Sequence, residues 1–357
     1  MKYLICGNYG VGNIGDECIA RGISNLLTAH DRSADIEILG KGNLLPIGVR
    51  SFVKSLFFFR LWKRPLARMK ACDHFILGGG GLFTDEERPL TGFFWAMHGL
   101  VASILMRKPV TVLGVSFGPM GILSRLETRI LCRVAARVYC RDEYSVALAK
   151  KYGAKNAMRC PDMAVYYNQR STPVDDFKKS DSKTVFFILR DYKSVTKNMI
   201  TNFVRLINHL CVKRGYNITF VDFQNDSNNP TGLLNKIIAQ SLSKNKISVL
   251  KIKEDLSDLS AILHSAHFIF SMRFHGALLA CIGQIPFISI NYMAKSSNFW
   301  GASDILSFPL SDFSSKEFVV SQFDAVLEER TYRKTVERMS AEYKGFSKDF
   351  MHSFSCV

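Results

Sequence analysis

The chain has 357 residues, 47% of them hydrophobic, with 47 basic and 31 acidic side chains and a formal net charge of +16. That length suits two cores, and the apolar content lets it fold without staples. Its nine cysteines are odd in number and form no C-x-x-C pair, which excludes a disulfide framework and a cysteine-based metal site and points to reduced, buried thiols.

The charge favours an anionic partner: a phosphorylated substrate, an acidic lipid surface or nucleic acid. No block of five like charges reads as a disordered basic tail. The opening apolar run, Met1 to Cys6, is too short for a secretory leader. The longest apolar stretch, Gly92 to Met106, contains His98 and falls short of a membrane span, so it reads as a buried helix. A cytoplasmic protein is expected, placed at the inner face of the membrane if its partner is lipid-linked.

In chain order, β-rich runs at Tyr3–Cys6, Ile36–Leu39, His74–Leu77, Val110–Val115, Arg137–Cys140 and Ala157–Cys160 alternate with helical patterns such as Asp16–Thr28, Leu90–Met106 and Glu143–Tyr152. This spacing predicts a parallel, doubly wound sheet. The polar stretch Tyr167–Lys183, with Pro173, is the linker candidate. The alternation then resumes with strands at Val185–Leu189, Ile218–Asp222, Ile247–Leu250, Phe268–Phe270 and Phe287–Ile290. Helices are expected around Val195–Arg214, Asp255–His264 and Gly276–Ile282, and over Lys316–Phe350. The expectation is an α/β protein of two Rossmann-like lobes, 1–167 and 183–330, with a cleft between them and a helical tail, 331–357.

Glycine-rich segments follow three of the first-lobe strands. Gly10-x-Gly12-x-x-Gly15 matches the dinucleotide fingerprint. The second strand, however, runs into Leu39-Gly-Lys-Gly42 with no acid for a ribose, and Asp16 and Glu17 would face a pyrophosphate. A sugar-binding loop fits better, because Asn8, Asn13 and Asp16 are short side chains suited to hydroxyls and Gly10 admits close approach. A tight turn serving only helix packing is the structural alternative. Gly78–Gly81, including Gly80, forms a second loop in this reading; Asp85 beyond it either takes a hydroxyl proton or caps the next helix. Gly114–Gly121 is read as a third loop on the same rim.

Between Arg50 and Lys70 basic and aromatic residues mix. Phe52, Leu56, Phe59 and Trp62 share one side of a helical wheel, with Arg50 and Lys54 roughly opposite, and Pro65 is read as restarting the helix. Packing of this face on the sheet is the favoured reading; peripheral contact with an anionic membrane is the other.

The most informative stretch is Phe270-Ser-Met-Arg-Phe-His-Gly-Ala277. A strand here delivers Arg273 and His275 to a helix start. Such a terminus favours anions, Arg adds a forked charge, and His adds a proton that moves near neutral pH. Arg190, in Phe187-Ile-Leu-Arg-Asp191, ends the first strand of the second lobe; a surface ion pair with Asp191 is its structural alternative.

Taken together, the opening Gly-x-x-Gly-x-Gly-Asn-Ile-Gly-Asp-Glu17, Gly78–Asp85, Arg141-Asp142, Cys160-Pro-Asp162, Ser271–Gly276 and Pro286–Asn291 followed by Lys295 resemble the polysaccharide pyruvyl transferase family. The resemblance runs from about residue 3 to 300. Arg273-Phe274-His275 stands where a typical member has Arg-Leu-His, and Tyr292-Met-Ala-Lys295 keeps only Tyr and Lys of a Tyr-Asp-Pro-Lys pattern. The resemblance implies a glycosyltransferase-B-like fold and transfer of the enolpyruvyl unit of phosphoenolpyruvate onto a sugar as a ketal. The sugar would belong to an exopolysaccharide, capsule or cell-wall polymer, or to its lipid-linked precursor. Arg190, Arg273, Phe274, His275 and Lys295 become the phosphoenolpyruvate set. Asn8, Gly10, Asn13, Asp16, Gly80 and Asp85 become the acceptor set, with His275 as acid and Asp16 or Asp85 as base. No metal, cofactor or nucleic acid is required. The second enzyme reading is a glycosyltransferase with a nucleotide-sugar donor, although no acidic pair in the second lobe suits its ribose. A nucleic-acid or anionic-polymer binding protein would leave the glycine segments and His275 unexplained.

Overall fold

The computed structural model describes residues 1–46, 48–57, 60–168, 183–224, 228–229, 231–252, 256–300, 307–315 and 330–355. The chain divides into two compact units, residues 1–169 with 345–357, and residues 170–344.

The first unit is a six-stranded parallel sheet in the order β2-β1-β3-β4-β5-β6. Its elements run β1 (Lys2–Cys6), α1 (Ile14–His30), β2 (Asp35–Leu39), α2 (Val49–Phe57), α3 (Arg60–Ala71), β3 (His74–Phe83), α4 (Thr91–Leu100), a π-helical turn (Val101–Leu105), β4 (Val110–Phe117), α5 (Ile122–Val134), β5 (Arg137–Cys140), α6 (Glu143–Lys151) and β6 (Ala157–Arg159). The central strands are largely apolar, and all of β4 is buried, Thr111 and Ser116 included, as a parallel strand covered on both faces must be. α1 begins at Asn13, whose side chain accepts from Gly15 N–H, and it buries Cys18, Ile19, Ile23, Leu26 and Leu27.

The second unit repeats the plan in the order β12-β11-β10-β7-β8-β9, also parallel. It runs β7 (Thr184–Ile188), α7 (Lys197–Val212), β8 (Asn217–Asp222), α8 (Leu233–Gln240), β9 (Ile247–Lys251), α9 (Leu259–His264), β10 (Phe268–Ser271), α10 (Phe274–Ile282), β11 (Phe287–Asn291), α11 (Ala294–Trp300) and β12 (Ser307–Pro309). Stacked rings at its centre, Phe187 on Phe270 at 4.8 Å, join β7 to β10. α12 (Arg330–Ser353) begins in this unit, where Tyr332 donates to Phe287 O and Ser340 to Ile282 O, and its last residues belong to the first.

Each sheet has one switch point, where strand order reverses about the first strand of the unit. In the first it lies between β1 and β3; in the second, between β7 and β10. The crevice beyond the carboxyl ends of those strands is where open α/β sheets bind ligands.

Several sequence expectations change. Gly78–Gly81 is not a loop but part of β3, paired with β4 through a register shift between Gly80 and Phe83. Gly114–Phe117 likewise stays inside β4, so the third loop begins only at Gly118. Glycine carries no apolar side chain, so a strand built from it shows no β pattern. Pro65 does not restart a helix; it sits inside α3, which begins at Arg60. The Phe52–Trp62 side of α2 and α3 packs inward, with Phe52 6.1 Å from Trp62 and 5.9 Å from Phe94 between ring centres. The side chain of Leu56, and Phe59, lie outside the described residues, as do most of the linker candidate and the first part of the Lys316–Phe350 helix. Among the described residues no helix is long and apolar enough to cross a membrane.

Candidate active site

In the first unit the loop after β1 is organised around Asp16. Asn8 and Asn13 both donate through Nδ2 to its Oδ2, each at 2.8 Å. Gly10 N–H donates to Glu17 Oε1 at 2.7 Å. Gly10 and Gly80 both have positive φ, 71° and 80°, which only glycine takes readily. A Cβ on Gly80 would stand 3.7 Å from Asp16 Oδ1, so β3 passes that carboxylate closely. The structure thus brings Asn8, Asn13, Asp16 and Gly80 together at the switch point.

Other glycines of these segments serve packing. A Cβ on Gly7 would lie 2.6 Å from Gly78 O, and one on Gly78 2.6 Å from Ile23 Cδ1. Tyr9 is buried and donates to Gly78 O at 2.6 Å; burial and the charges of Asp16 and Glu17 hold its phenol well above the usual range, so it stays a donor. Asp85 is engaged on both oxygens: Gly92 N–H and Gly121 N–H each donate to it at 2.9 Å. It ties the first turn of α4 to the start of α5, which is the capping arrangement.

The motif residues Arg141, Asp142 and Asp162 form a buried network below this rim. Arg141 Nη1 pairs with Asp162 Oδ2 at 2.8 Å, both side chains being about fully buried, and Arg141 Nε donates to Ser116 Oγ at 2.5 Å. Ser116 donates in turn to Asp142 Oδ2 at 2.6 Å. The remaining oxygens cap: Asp142 Oδ1 accepts from Ser145 N–H and Asp162 Oδ1 from Ala164 N–H. These residues position the strand ends and the turns that follow them.

In the second unit Ile188 of β7 pairs with Ser271 of β10, and Arg190 and Arg273 each follow two residues later. Two guanidinium-bearing residues therefore flank the switch point. Arg190 Nη1 donates to Tyr292 Oη at 2.8 Å, with its guanidinium carbon 5.5 Å from the Tyr292 ring centre. Asp191 accepts instead from Asn229 Nδ2 at 3.0 Å. Arg273, buried, caps α10 and donates through Nη1 to Gln224 Oε1 at 2.7 Å. The strands of Arg190, Gln224, Arg273 and Tyr292 are the four neighbours β7, β8, β10 and β11.

The rest of the motif explains itself locally. Ser271 Oγ donates to Arg273 O at 2.7 Å, fixing the turn. A Cβ on Gly276 would come 2.7 Å from Ile188 Cδ1, so glycine lets α10 settle on β7. His275, half-buried, stands in the first turn of α10. Phe274 is buried with its ring 4.8 Å from Phe299, so its side chain belongs to packing and only its backbone remains for a ligand. Lys295 lies in the first turn of α11, after β11, and its side chain lies outside the described residues. Gln224 was not singled out from sequence: the apolar run of β8 marks the strand, but nothing marks the residue two beyond it as a partner of Arg273. Among the described residues no group of three His, Cys, Asp or Glu side chains could hold a metal.

Two parallel sheets, each with its polar residues at the switch point, define the glycosyltransferase-B class of α/β proteins. Solved structures share the fold at low identity. They include the UDP-GlcNAc 2-epimerase of Neisseria meningitidis bound to UDP-GlcNAc (12% identical, 99% of each chain covered, TM-score 0.62). The S. aureus MnaA–UDP structure (9% identical, 99% of this chain and 94% of that, TM-score 0.63) and Arabidopsis thaliana UGT89C1 with quercetin (10%, 99% and 98%, 0.60) are others.

The chain belongs to the polysaccharide pyruvyl transferase family, which it matches over residues 13–293, and so to the transferases of polysaccharide biosynthesis. A curated relative is the amylovoran biosynthesis protein AmsJ of Erwinia amylovora, 24% identical over 360 residues that cover 83% of this chain and 84% of that one.

Proposed function

We propose that the protein moves the enolpyruvyl unit of phosphoenolpyruvate onto a sugar of a cell-surface polysaccharide, or of its lipid-linked precursor, to form a cyclic ketal. The observation that carries this is the placement of Arg190 and Arg273 at the carboxyl ends of the adjacent strands β7 and β10, with His275 one step into α10. Phosphoenolpyruvate has a carboxylate and a phosphate on three carbons. Two separately mounted guanidinium groups match those charges, and the first-turn N–H groups of α10 favour the same sign. Lys295 supplies a further cation.

In this scheme a proton is added to C3 of the enol, making C2 electrophilic. One sugar hydroxyl attacks C2; a second displaces phosphate from C2 and closes the ring. Two hydroxyl protons are lost, one is gained at C3, and inorganic phosphate leaves. His275 hands over the proton at C3 or to the departing phosphate. Of the two carboxylates weighed as base, Asp16 is the better placed: it lies among Asn8, Asn13 and Gly80, whereas both oxygens of Asp85 already accept backbone N–H groups. The first unit then serves the acceptor and the second the donor.

His275→Ala should keep its thermal transition and the stabilisation given by phosphoenolpyruvate, yet lose transfer by about a hundredfold or more. Transfer is read by mass spectrometry of candidate glycans, as a gain of pyruvate less water. Turnover near that of the unsubstituted protein would remove His275 from the mechanism. Stabilisation by nucleotide sugars but not by phosphoenolpyruvate would replace the donor altogether.

A further inference from the structure

α5 has its polarity reversed. The face it buries carries Ser124, Thr128, Leu131 and Cys132. The two hydroxyls are satisfied there: Thr128 donates to Ser124 O at 2.7 Å, and Phe93 N–H donates to Ser124 Oγ at 3.1 Å. The outward face carries Ile122, Leu126, Ile130 and Val134, spaced four apart in one row, with Leu123 beside them; Ile122 is 83% exposed and Leu126 54%. The neighbouring element also exposes aliphatic residues. Gly99 of α4 lies against Leu131 of α5, where a Cβ would come within 2.6 Å of Leu131 Cδ1. The π-helical turn that follows α4 therefore leaves the helix pair at its Val134 end, and there Ile104 and Leu105 are 56% and 68% exposed. Single exposed aliphatic residues need no account, but a row along one helix with two more on a neighbouring element does.

Cations lie beside the row. Arg125, Arg129 and Arg133 lie on α5, and Arg107 and Lys108 follow the turn; Glu127 is the one acid of the helix. Arg129 lies over the Tyr152 ring at 5.3 Å, at the side of the row rather than across it. Aliphatic residues standing clear of the surface with arginines beside them are what a helix lying in the plane of a membrane presents.

We propose that this face of the first unit seats on an anionic lipid surface, its aliphatic row entering the headgroup boundary and its arginines meeting lipid phosphates. Charge decides against a second copy of the chain as occupant. A two-fold contact through α5 would set three arginines of one copy against three of the other, with a single glutamate on each side to offset them. A net charge of +16 attracts the chain to an acidic leaflet and repels it from itself. The site differs from α2 and α3, whose Phe52 and Trp62 are taken up by packing. It does not depend on the donor or the chemistry proposed above.

The full chain should float with vesicles of phosphatidylglycerol and phosphatidylcholine and not with phosphatidylcholine alone, and added salt should weaken binding. The triple substitution Ile122→Ser, Leu126→Ser, Ile130→Ser should lower binding about tenfold or more while leaving the thermal transition in place. The charge variant Arg107→Glu, Arg133→Glu should weaken it independently, which covers the case of a triple variant that does not fold. Val53→Ser with Leu61→Ser, on exposed positions of α2 and α3, should leave it unchanged. The proposal is overturned by absence of binding to anionic vesicles, by triple and charge variants that both bind as tightly as the unsubstituted chain, or by loss of binding in the α2–α3 variant. A lipid-free dimer that the triple substitution dissolves would overturn it in favour of a second copy.

Discussion

Arg190 is gripped by one aromatic side chain in two ways, a hydrogen bond from Nη1 to the Tyr292 hydroxyl and a contact between its guanidinium and the Tyr292 ring. The arrangement restricts the rotation of a long, otherwise mobile side chain at the end of β7. In the family pattern the position of Tyr292 was legible but its use was not, because a tyrosine after a strand does not say which cation it holds. Tyr292→Phe keeps the ring and removes the hydroxyl. With the donor proposed above, KM for phosphoenolpyruvate should rise by about threefold to tenfold, the worth of about 1 kcal/mol, with kcat nearly unchanged. Arg190→Lys should do more, since a lysine offers neither the fork nor the ring contact. Steady-state kinetics with varied donor tests both; an unchanged KM in the Phe variant would make the tyrosine a bystander.

At the scale of elements, β1, β4, β7, β10 and β11 were legible because a parallel strand buried on both faces reads as a mostly apolar run. The glycine stretch of β3 was not, since its residues carry no side chain to show a period, and α5 was not, since it turns its aliphatic residues outward. α4 shows how a buried polar residue is used. His98 is buried, its Nδ1 is 2.7 Å from Phe94 O, and Leu45 N–H donates to its Nε2 at 3.0 Å. That pairing requires a neutral ring with the proton on Nδ1, and burial pushes the pKa down from 6.5 to about 4. His74 in β3 is lowered to about 4 for the same reason. Above pH 6.5 each ring is neutral whether the chain is folded or not; between 6.5 and 4 the unfolded chain takes up the proton first. Stability therefore falls as pH drops through that window, by up to about 3 kcal/mol per ring. His98→Gln should lower stability at pH 7 and flatten the dependence of the thermal midpoint on pH below 6.5 relative to the unsubstituted protein. Parallel slopes in the two proteins would show that the His98 ring does not carry the effect.

The whole chain closes on itself through its last residues. The first unit is not complete at residue 169; it takes residues 345–357 from the far end of the sequence. Sequence patterning shows a helix there but not its destination, because the contacts that decide it are about two hundred residues away: Tyr139 donates to Ser355 O, with |i−j| of 216, and Tyr166 to Ser347 O, with |i−j| of 181. Phe350 and Phe354 are buried, with ring centres 5.3 and 5.7 Å from that of Tyr139. The β5 side of the first sheet therefore owes part of its cover to the C-terminal segment. Deleting residues 346–357 removes two buried phenylalanines, Phe350 and Phe354, each worth about 1.5–3 kcal/mol. It would also release two hydrogen bonds worth about 1 kcal/mol each. A loss of about 5–8 kcal/mol is a large share of the stability of a domain. The truncated chain should thus show the first unit melting well below its full-length midpoint, with early protease cuts near β5 and β6. The second unit keeps its own contacts with α12, Tyr332 to Phe287 and Ser340 to Ile282, and its transition should move little. Calorimetry with limited proteolysis separates the outcomes: a full-length profile after truncation would mean that the two phenylalanines and two tyrosine bonds do not stabilise the first unit, and equal loss in both would mean that the units unfold as one.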